Sequence, residues 1–357
     1  MSLTLRSIGN KKQMRFIGSK ALLLEEIDKV VQNNVIKAKS FCDIFSGTSA
    51  VARYFKKDFK IISNDLLHFS YVLQKATVEN EHYPDFTKIK KLIQKDPFDY
   101  FDTIKITKNR IKNTPFIYEN YSPNGKSGRR YLSSENALLI DFIRQTIEEW
   151  WESGLLEENG YYYLLAGLIE AIPFVSNIAG TYGAFLKHWD KRASKRLKMI
   201  KLDTLENKKN NQCFNKDSNK LIKEISGDIL YIDPPYNPRQ YVTNYHMLET
   251  VSRYDNPDVY GKTGLRPYKD VKSKYCIKNE VLSTFSDLVS NANFKHIIVS
   301  YSTEGIMSIE DIKSILIENG NKAKYKLKKI SYRRYKHRAG HVNHNLHELL
   351  FYIAKGK

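Results

Sequence analysis

The tetrapeptide Asp233-Pro234-Pro235-Tyr236 closes the apolar run Ile229-Leu230-Tyr231-Ile232. Two prolines cannot donate to a sheet ladder, so a strand that ends in this carboxylate stops there, at the edge where open α/β sheets bind ligands. Asp233 and the carbonyl of Pro234 can accept hydrogen bonds from one amino group while Tyr236 stacks on the ring that bears it. That set suits a planar base with an exocyclic amine. Such an amine is a poor nucleophile because its lone pair is delocalised into the ring. Two fixed acceptors localise the pair and aim it at an electrophile without help from a metal.

A second constellation is Asp43-Ile44-Phe45-Ser46-Gly47-Thr48-Ser49, with Asp65 behind the next apolar run. A glycine-bearing loop after one strand and an acid after the next follow the nucleoside-binding logic of Rossmann-like sheets. There is no G-x-G-x-x-G, and Gly18-Ser19-Lys20 lacks the upstream glycine of a phosphate-cradling loop. A nucleoside without a phosphate chain is therefore favoured over a dinucleotide or a triphosphate. Cys42, Cys213 and Cys276 follow Phe, Gln and Tyr, whereas a thiolate route to cytosine C5 usually presents its nucleophile after a proline. The three cysteines form no C-x-x-C pair, and His341, His344 and His347 gain no acid or thiol at ligand spacing. Neither a disulfide framework nor a metal site is predicted.

These residues need a scaffold that brings strand ends together. Leu23, Ile27, Val30 and Val31 mark one face of a helix over 21–35. A strand at 40–45, a helix at 50–56, a second strand at 59–63 and a helix at 66–78 follow. The strand-helix rhythm predicts a parallel α/β sheet. It fails between residues 75 and 200, where helical faces such as Leu138, Leu139, Phe142, Ile143, Ile147 and Trp150 dominate. It resumes with strands at 228–233, 295–302 and 346–354. The division predicted is a catalytic and cofactor-binding domain over 1–74 and 201–357, with a mainly helical insert over 75–200. Within the insert, 122–130 is a turn-rich basic loop and 176–183 reads as a hairpin.

Lys and Arg total 58 against 39 Asp and Glu, a formal charge of +19 over 357 residues. That surplus points to an anionic partner, and nucleic acid leads. Arg129, Arg130, Lys187, Lys191 and Arg192 are candidate phosphate contacts, as is the basic tract from Lys322 through Arg333, Arg334 and Lys336 to Arg338. No 18-residue apolar run and no apolar signal segment are present, so neither a membrane span nor secretion is predicted, and a cytoplasmic location and a monomer are.

In motif order the chain resembles the D12-class, Dam-like adenine-specific DNA methyltransferases. Arg15-Phe16-Ile17-Gly18-Ser19-Lys20 looks like their N-terminal cofactor motif, Asp43 to Gly47 like their F-x-G-x-G loop, and Ser63-Asn64-Asp65 like the segment with the ribose-binding acid. Asn215-Lys216-Asp217 is similar to the segment whose acid meets the cofactor adenine, and Asp233-Pro234-Pro235-Tyr236 matches the catalytic tetrapeptide. The resemblance implies S-adenosylmethionine as cofactor, a Rossmann-like methyltransferase sheet and an inserted target-recognition domain. By it, Phe16 and Lys20 line the methionine end, Asp43, Phe45 and Gly47 form the cofactor loop, Asp65 takes the ribose, Asp217 the adenine and Asp233 the target amine. It also implies DNA contacts from the segment 177–185, with Asn177 and Tyr182, and Arg239 joins the candidate contacts. The chain departs from the pattern at Ser49, where the family has its second glycine.

The function expected is methyl transfer to N6 of a flipped-out adenine in a specific duplex sequence. A cognate restriction endonuclease acting on the same site without direct contact is the accompanying partner. The alternatives are the same chemistry on structured RNA, transfer to cytosine N4, where Ser more often precedes Pro-Pro-Tyr, and a DNA-binding relative made inactive by Ser49.

Overall fold

The computed structural model describes residues 16–331 and 347–355. They form two compact units. One comprises 16–19, 84–202 and 250–266, and the other 20–83, 203–249, 267–331 and 347–355.

The second unit is built on seven strands: β1 (Ser40–Asp43), β2 (Lys60–Asn64), β3 (Gln212–Phe214), β4 (Ser226–Ile232), β5 (Asn293–Ser302), β6 (Lys326–Ser331) and β7 (His347–Ala354). They lie in the order β3-β2-β1-β4-β5-β7-β6. The first five pair in parallel, and β7 runs antiparallel to both β5 and β6. Side chains alternate across the pleat. Ile229 and Tyr231 join one apolar layer with Ile27, Val31, Val51 and Phe55, while Leu230 and Ile232 join the other with Phe285, Leu288, Ile312 and Leu316. Helices on both faces supply those layers. Leu24–Asn34 turns Ile27, Val30 and Val31 inward, and Ile309–Glu318 starts at a capping box in which Ser308 and Asp311 satisfy each other's backbone amides. Strand order reverses between β1 and β4, which pair through Asp43 and Tyr231. In open α/β sheets such a reversal is where ligands bind, outside the carboxyl ends of the strands.

The α/β sheet with flanking helices expected from the sequence is observed, but it is mixed and not the parallel sheet expected, because β7 runs antiparallel to β5 and β6. Two strands escaped the reading: β3 has only three residues, and β6 carries Lys326, Lys328 and Lys329 on the sheet edge, a charge pattern that blocks further pairing. Lys328 forms an ion pair with Glu26, so this part of the basic tract is committed within the fold. The helix expected over 66–78 is His68–Gln74 continued by one π-helical turn, Lys75–Glu79.

The other unit is helical: Thr87–Ile93, Pro97–Thr103, Phe116–Tyr121, Ser134–Glu152 and Glu158–Ala171. Ser133 caps the long helix by accepting from the Asn136 amide. Gly167 permits a close approach, since a Cβ there would meet the Ile200 carbonyl oxygen at 2.7 Å and Phe98 Cε1 at 3.0 Å. Asp141, fully buried, accepts from the Ile117 amide at 2.9 Å, the Tyr118 amide at 2.8 Å and the Tyr254 hydroxyl at 2.7 Å. It thereby ties residues 250–266 to the helices. Burial raises its carboxyl to about 7 against those three donors. Among the described residues no helix is long and apolar enough to cross a membrane.

Candidate active site

The loop after β1 is drawn toward the end of β2 by short-range bonds. The Ser46 amide and hydroxyl both donate to the Asn64 carbonyl, at 2.9 and 3.1 Å. Gly47, at φ 50°, donates its amide to Asp65 Oδ2 at 2.8 Å. The other Asp65 oxygen accepts from the Leu67 amide at 2.9 Å. Asp65 thus shapes the loop with one lone pair of each oxygen. Burial raises it to about 6, opposed by the Leu67 and Gly47 amides. Glu249 adds a buried cap, accepting from the His68 and Phe69 amides at 3.1 and 3.0 Å.

Ser49 occupies the left-handed region, φ 61° and ψ 21°, and its buried hydroxyl has no hydrogen-bond partner among the described residues. The position therefore favours the glycine that the chain lacks. Ser49→Gly is expected to raise unfolding free energy by about 1 kcal/mol, the left-handed penalty less the extra freedom of an unfolded glycine. Urea denaturation would read this as a higher midpoint at an unchanged m-value, and a lower midpoint would show that the hydroxyl has a stabilising partner.

At the end of β4, Asp233 is 17% exposed and lies 3.1 Å from the Lys20 ammonium, which is 2.5 Å from Glu348 on β7. Ser300 on β5 donates to the same Glu348 oxygen at 2.8 Å. Pro234 is buried and Tyr236 half-buried. The Tyr236 carbonyl accepts from the Ile306 amide at 3.0 Å, and its ring meets Tyr301 edge-on with centroids 6.4 Å apart. Gln240 clamps the loop further on, donating to the Ser273 carbonyl at 2.9 Å and accepting the Ser273 amide at 2.8 Å.

The electrostatics are dominated by acids. Asp43, the last residue of β1, is raised well above the carboxylate range by burial, then by the charges of Asp233 and Asp65. Its Oδ1 has no hydrogen-bond partner among the described residues. Burial pushes Asp233 to about 7, with Lys20 opposing and Glu348 adding to the shift. Burial also works against the Lys20 charge, but Asp233 and Glu348 outweigh it and raise the ammonium well above the usual lysine value. Lys20 thus serves Asp233 and Glu348, while the Asp43 and Asp65 carboxyl groups nearby have no such cation among the described residues, an imbalance that a cationic ligand would relieve.

Sequence reasoning missed two organisers. Asn64 donates to the carbonyls of Ile44 and Lys216, both at 3.1 Å, and accepts the Lys216 amide at 3.0 Å. Glu348 is a lone acid in an apolar strand, and that isolation was its available signal. Among the expected cofactor residues the structure brings Lys20, Asp43, Gly47, Asp65 and Asp233 into one connected network. Phe45 stands edge-on to Tyr275 at 5.0 Å. Asp217 is exposed and caps the short helix Ser218–Leu221 through the Lys220 amide. Phe16 belongs to the other unit, where its carbonyl accepts from the Ser19 amide at 3.2 Å.

The expected nucleic-acid contacts divide sharply. Asn177 is buried, donating to the carbonyls of Arg130 and Leu186 at 3.0 Å each and accepting the Asp190 amide at 2.9 Å. Tyr182 is buried as well, its hydroxyl 3.1 Å from the Ser176 hydroxyl. Both build the loop from within. The hairpin expected at 176–183 is an irregular loop closed by the Leu186 amide on the Asn177 carbonyl. Arg129 is likewise spent on the fold, donating to the carbonyls of Asn120, Gly261 and Lys262 at 2.9, 3.0 and 3.2 Å. Arg192 pairs with Asp190 at 3.0 Å. Arg130, Lys187, Lys191 and Arg239 are exposed, while Arg333, Arg334 and Lys336, with His341 and His344, lie outside the described residues. Among the described residues, Glu81, His82 and Glu206 offer one close group of potential metal ligands, at the surface, where Glu81 also accepts the Lys208 amide at 2.9 Å.

The family model of the D12 class N6 adenine-specific DNA methyltransferases matches residues 16–315. The chain is 50% identical over 343 residues to the Type II methyltransferase M.FokI of Planomicrobium okeanokoites, covering 96% of this chain and 53% of that protein. It is 45% identical over 344 residues to the Modification methylase StsI of Streptococcus sanguinis, covering 96% of this chain and 52% of that one. The chain thus spans about half the length of these two curated relatives. Against the Type II methyltransferase M.NlaIII of Neisseria lactamica it is 39% identical over 331 residues, covering 90% of this chain and 92% of the relative. A glycine loop held by the acid after β2 and an Asp-Pro-Pro-Tyr strand end paired with a buried lysine agree with these matches, and the chain belongs to the D12 class of N6 adenine-specific DNA methyltransferases.

Proposed function

We propose that the protein transfers a methyl group from S-adenosylmethionine to N6 of an adenine flipped out of duplex DNA, as the modification methylase of a restriction-modification system. The observation that carries this reading is the placement of Asp233 at the end of β4, beside the β1 loop and salt-bridged to buried Lys20. Relatives named as type II and modification methylases support the biological setting. A restriction endonuclease reading the same sequence without touching the methylase, a monomeric enzyme and a cytoplasmic site of action complete the proposal.

The acid-rich site fits the cofactor. Asp43 Oδ1 and the Ser49 hydroxyl are buried polar atoms without partners among the described residues, and the surplus of carboxyl groups suits a cation. When bound, S-adenosylmethionine supplies an electrophilic methyl group on a positively charged sulfur. Asp65 and Gly47 shape the loop at the nucleoside, and Phe16, Phe45 and Asp217 remain candidate contacts to it. Asp233 and the Pro234 carbonyl accept the two amino hydrogens, which localises the nitrogen lone pair, and Tyr236 holds the base by stacking. Lys20 keeps Asp233 ionised enough to serve as an acceptor.

The helical residues between 75 and 200 form the target-recognition domain in this reading, with 1–74 and 201–357 as the catalytic domain. Arg130, Lys187, Lys191 and Arg239 contact phosphates. Changing Lys187 and Lys191 together to Gln is expected to lower the slope of log affinity against log salt by about 2. An unchanged slope would remove this loop from the interface.

The deciding experiment is transfer of labelled methyl from S-adenosylmethionine to unmethylated genomic DNA and total RNA in parallel, followed by nucleoside analysis. Label as N6-methyladenine in DNA alone is the expected result. Label only in RNA, or as N4-methylcytosine, would overturn the substrate assignment.

A further inference from the structure

We propose that Glu348 is a positioning residue for Asp233: by sharing the Lys20 ammonium it leaves the Asp233 carboxylate open to accept the reacting amine. The inference rests on the reading of Asp233 as the amine acceptor.

Glu348 stands among Leu349, Leu350, Phe351, Tyr352 and Ile353 on β7 and is 8% exposed. Burying a carboxylate in such a strand is costly unless it is paired and hydrogen-bonded. One oxygen, Oε1, receives both available bonds, from Lys20 at 2.5 Å and from Ser300 at 2.8 Å. The Ser300 bond fixes Glu348 against β5, and Glu348 in turn fixes Lys20. The ammonium therefore sits closer to Glu348 than to Asp233, 2.5 against 3.1 Å. A lysine committed wholly to Asp233 would occupy its lone pairs and withdraw charge from the acceptor. A lysine shared with a second acid anchors Asp233 without exhausting it.

Several groups act on Asp233. Lys20 approaches from the turn Lys20–Leu22, Glu348 from β7 and Asp43 from β1, with the Tyr231 phenol on β4 and the Tyr241 phenol on the helix Tyr241–Asn244 interacting electrostatically. Of the charged ones, Lys20 favours the carboxylate and the acids disfavour it. Burial, Lys20 and Glu348 together place its titration at about 7.

Glu348→Gln separates charge from shape, because the amide oxygen still accepts from Lys20 and Ser300 while the charge is gone. The acid limb of kcat/KM for methyl transfer to adenine is expected to move to lower pH by about one unit, since a like charge has been removed. The plateau kcat is expected to fall about 3–10-fold as Asp233 becomes a weaker acceptor, with KM for DNA unchanged. Glu348→Asp, which keeps the charge, is expected to return the limb toward its original position, and thermal melts confirm that each variant folds. An unmoved limb in Glu348→Gln, or equal loss of rate in both variants without a shift, would overturn the proposal and leave Glu348 a structural residue. If Glu348→Gln fails to fold, a displaced limb in Glu348→Asp with its charge intact would overturn it too. A wild-type protein that transfers no methyl group to adenine would instead defeat the reading of the site itself.

Discussion

Replacing Asp233 with Ala is expected to lower kcat for methyl transfer to adenine by about 10²–10³-fold, the usual loss when a fixed group aimed at developing charge is removed. Loss of the side chain leaves the Pro234 carbonyl as the remaining acceptor, so the amine is held by one bond and its lone pair is less well localised. Donor binding and DNA binding should persist, because the β1 loop is held by Asp65 and Asn64 rather than by Asp233. The wild-type pH profile carries the same information. With Asp233 titrating at about 7 and acting as carboxylate, kcat/KM is expected to fall about tenfold per pH unit below that value. Near-normal turnover in Asp233→Ala, measured by methyl incorporation at saturating donor, would remove Asp233 from the reaction.

The second large effect is on stability. Lys20→Met is expected to cost about 3–5 kcal/mol at pH 8, the price of leaving buried acids without their cation. The sign of its pH dependence follows from linkage. Asp233 already titrates near 7 in the fold, above the ordinary Asp value, and losing Lys20 raises it further. Between the unfolded and folded values the native state binds more protons than the unfolded chain, so stability falls as pH rises through that window. The penalty of Lys20→Met should accordingly shrink as pH is lowered to about 5, where Asp233 is protonated in the fold. Urea denaturation at the two pH values tests this, and an equal loss at both would mean that Lys20 acts through packing alone. The same variant should move the acid limb of kcat/KM to higher pH, opposite to the shift expected from Glu348→Gln.

These expectations rest on different amounts of sequence information. The Asp233-Pro234-Pro235-Tyr236 strand end, the Gly47 loop and Asp65 were legible because each is a local pattern whose residue types match a backbone requirement: a stop, a tight turn, an acid after a strand. The continuous apolar run that buries β4 on both faces and the helical face of Ile27, Val30 and Val31 were legible for the same reason. The departure at Ser49 could be named from sequence, yet its left-handed conformation and unpaired hydroxyl could not. β6 was hidden because its lysines read as part of a basic tract of candidate phosphate contacts, although its backbone pairs with β7.

Positive charge was legible as a total and misleading residue by residue. Arg129, Arg130 and Lys187 look alike in a string, but Arg129 is consumed by three carbonyls while Lys187 projects outward. Asn177 and Tyr182 sit in a segment of the right kind and build it from inside.

By itself, then, the sequence determined the α/β rhythm, the strand ends where chemistry is placed and the family to which they belong, because hydrophobic period and turn chemistry act over a few residues. Only the tertiary structure decided that Lys20 serves Asp233 and Glu348 at once. Lys20 and Glu348 are 328 residues apart, and no spacing rule links them. Their partnership arises because the sheet places β7 beside β5, one strand away from β4, and because a buried carboxylate that must be paired takes the cation that this arrangement brings within reach.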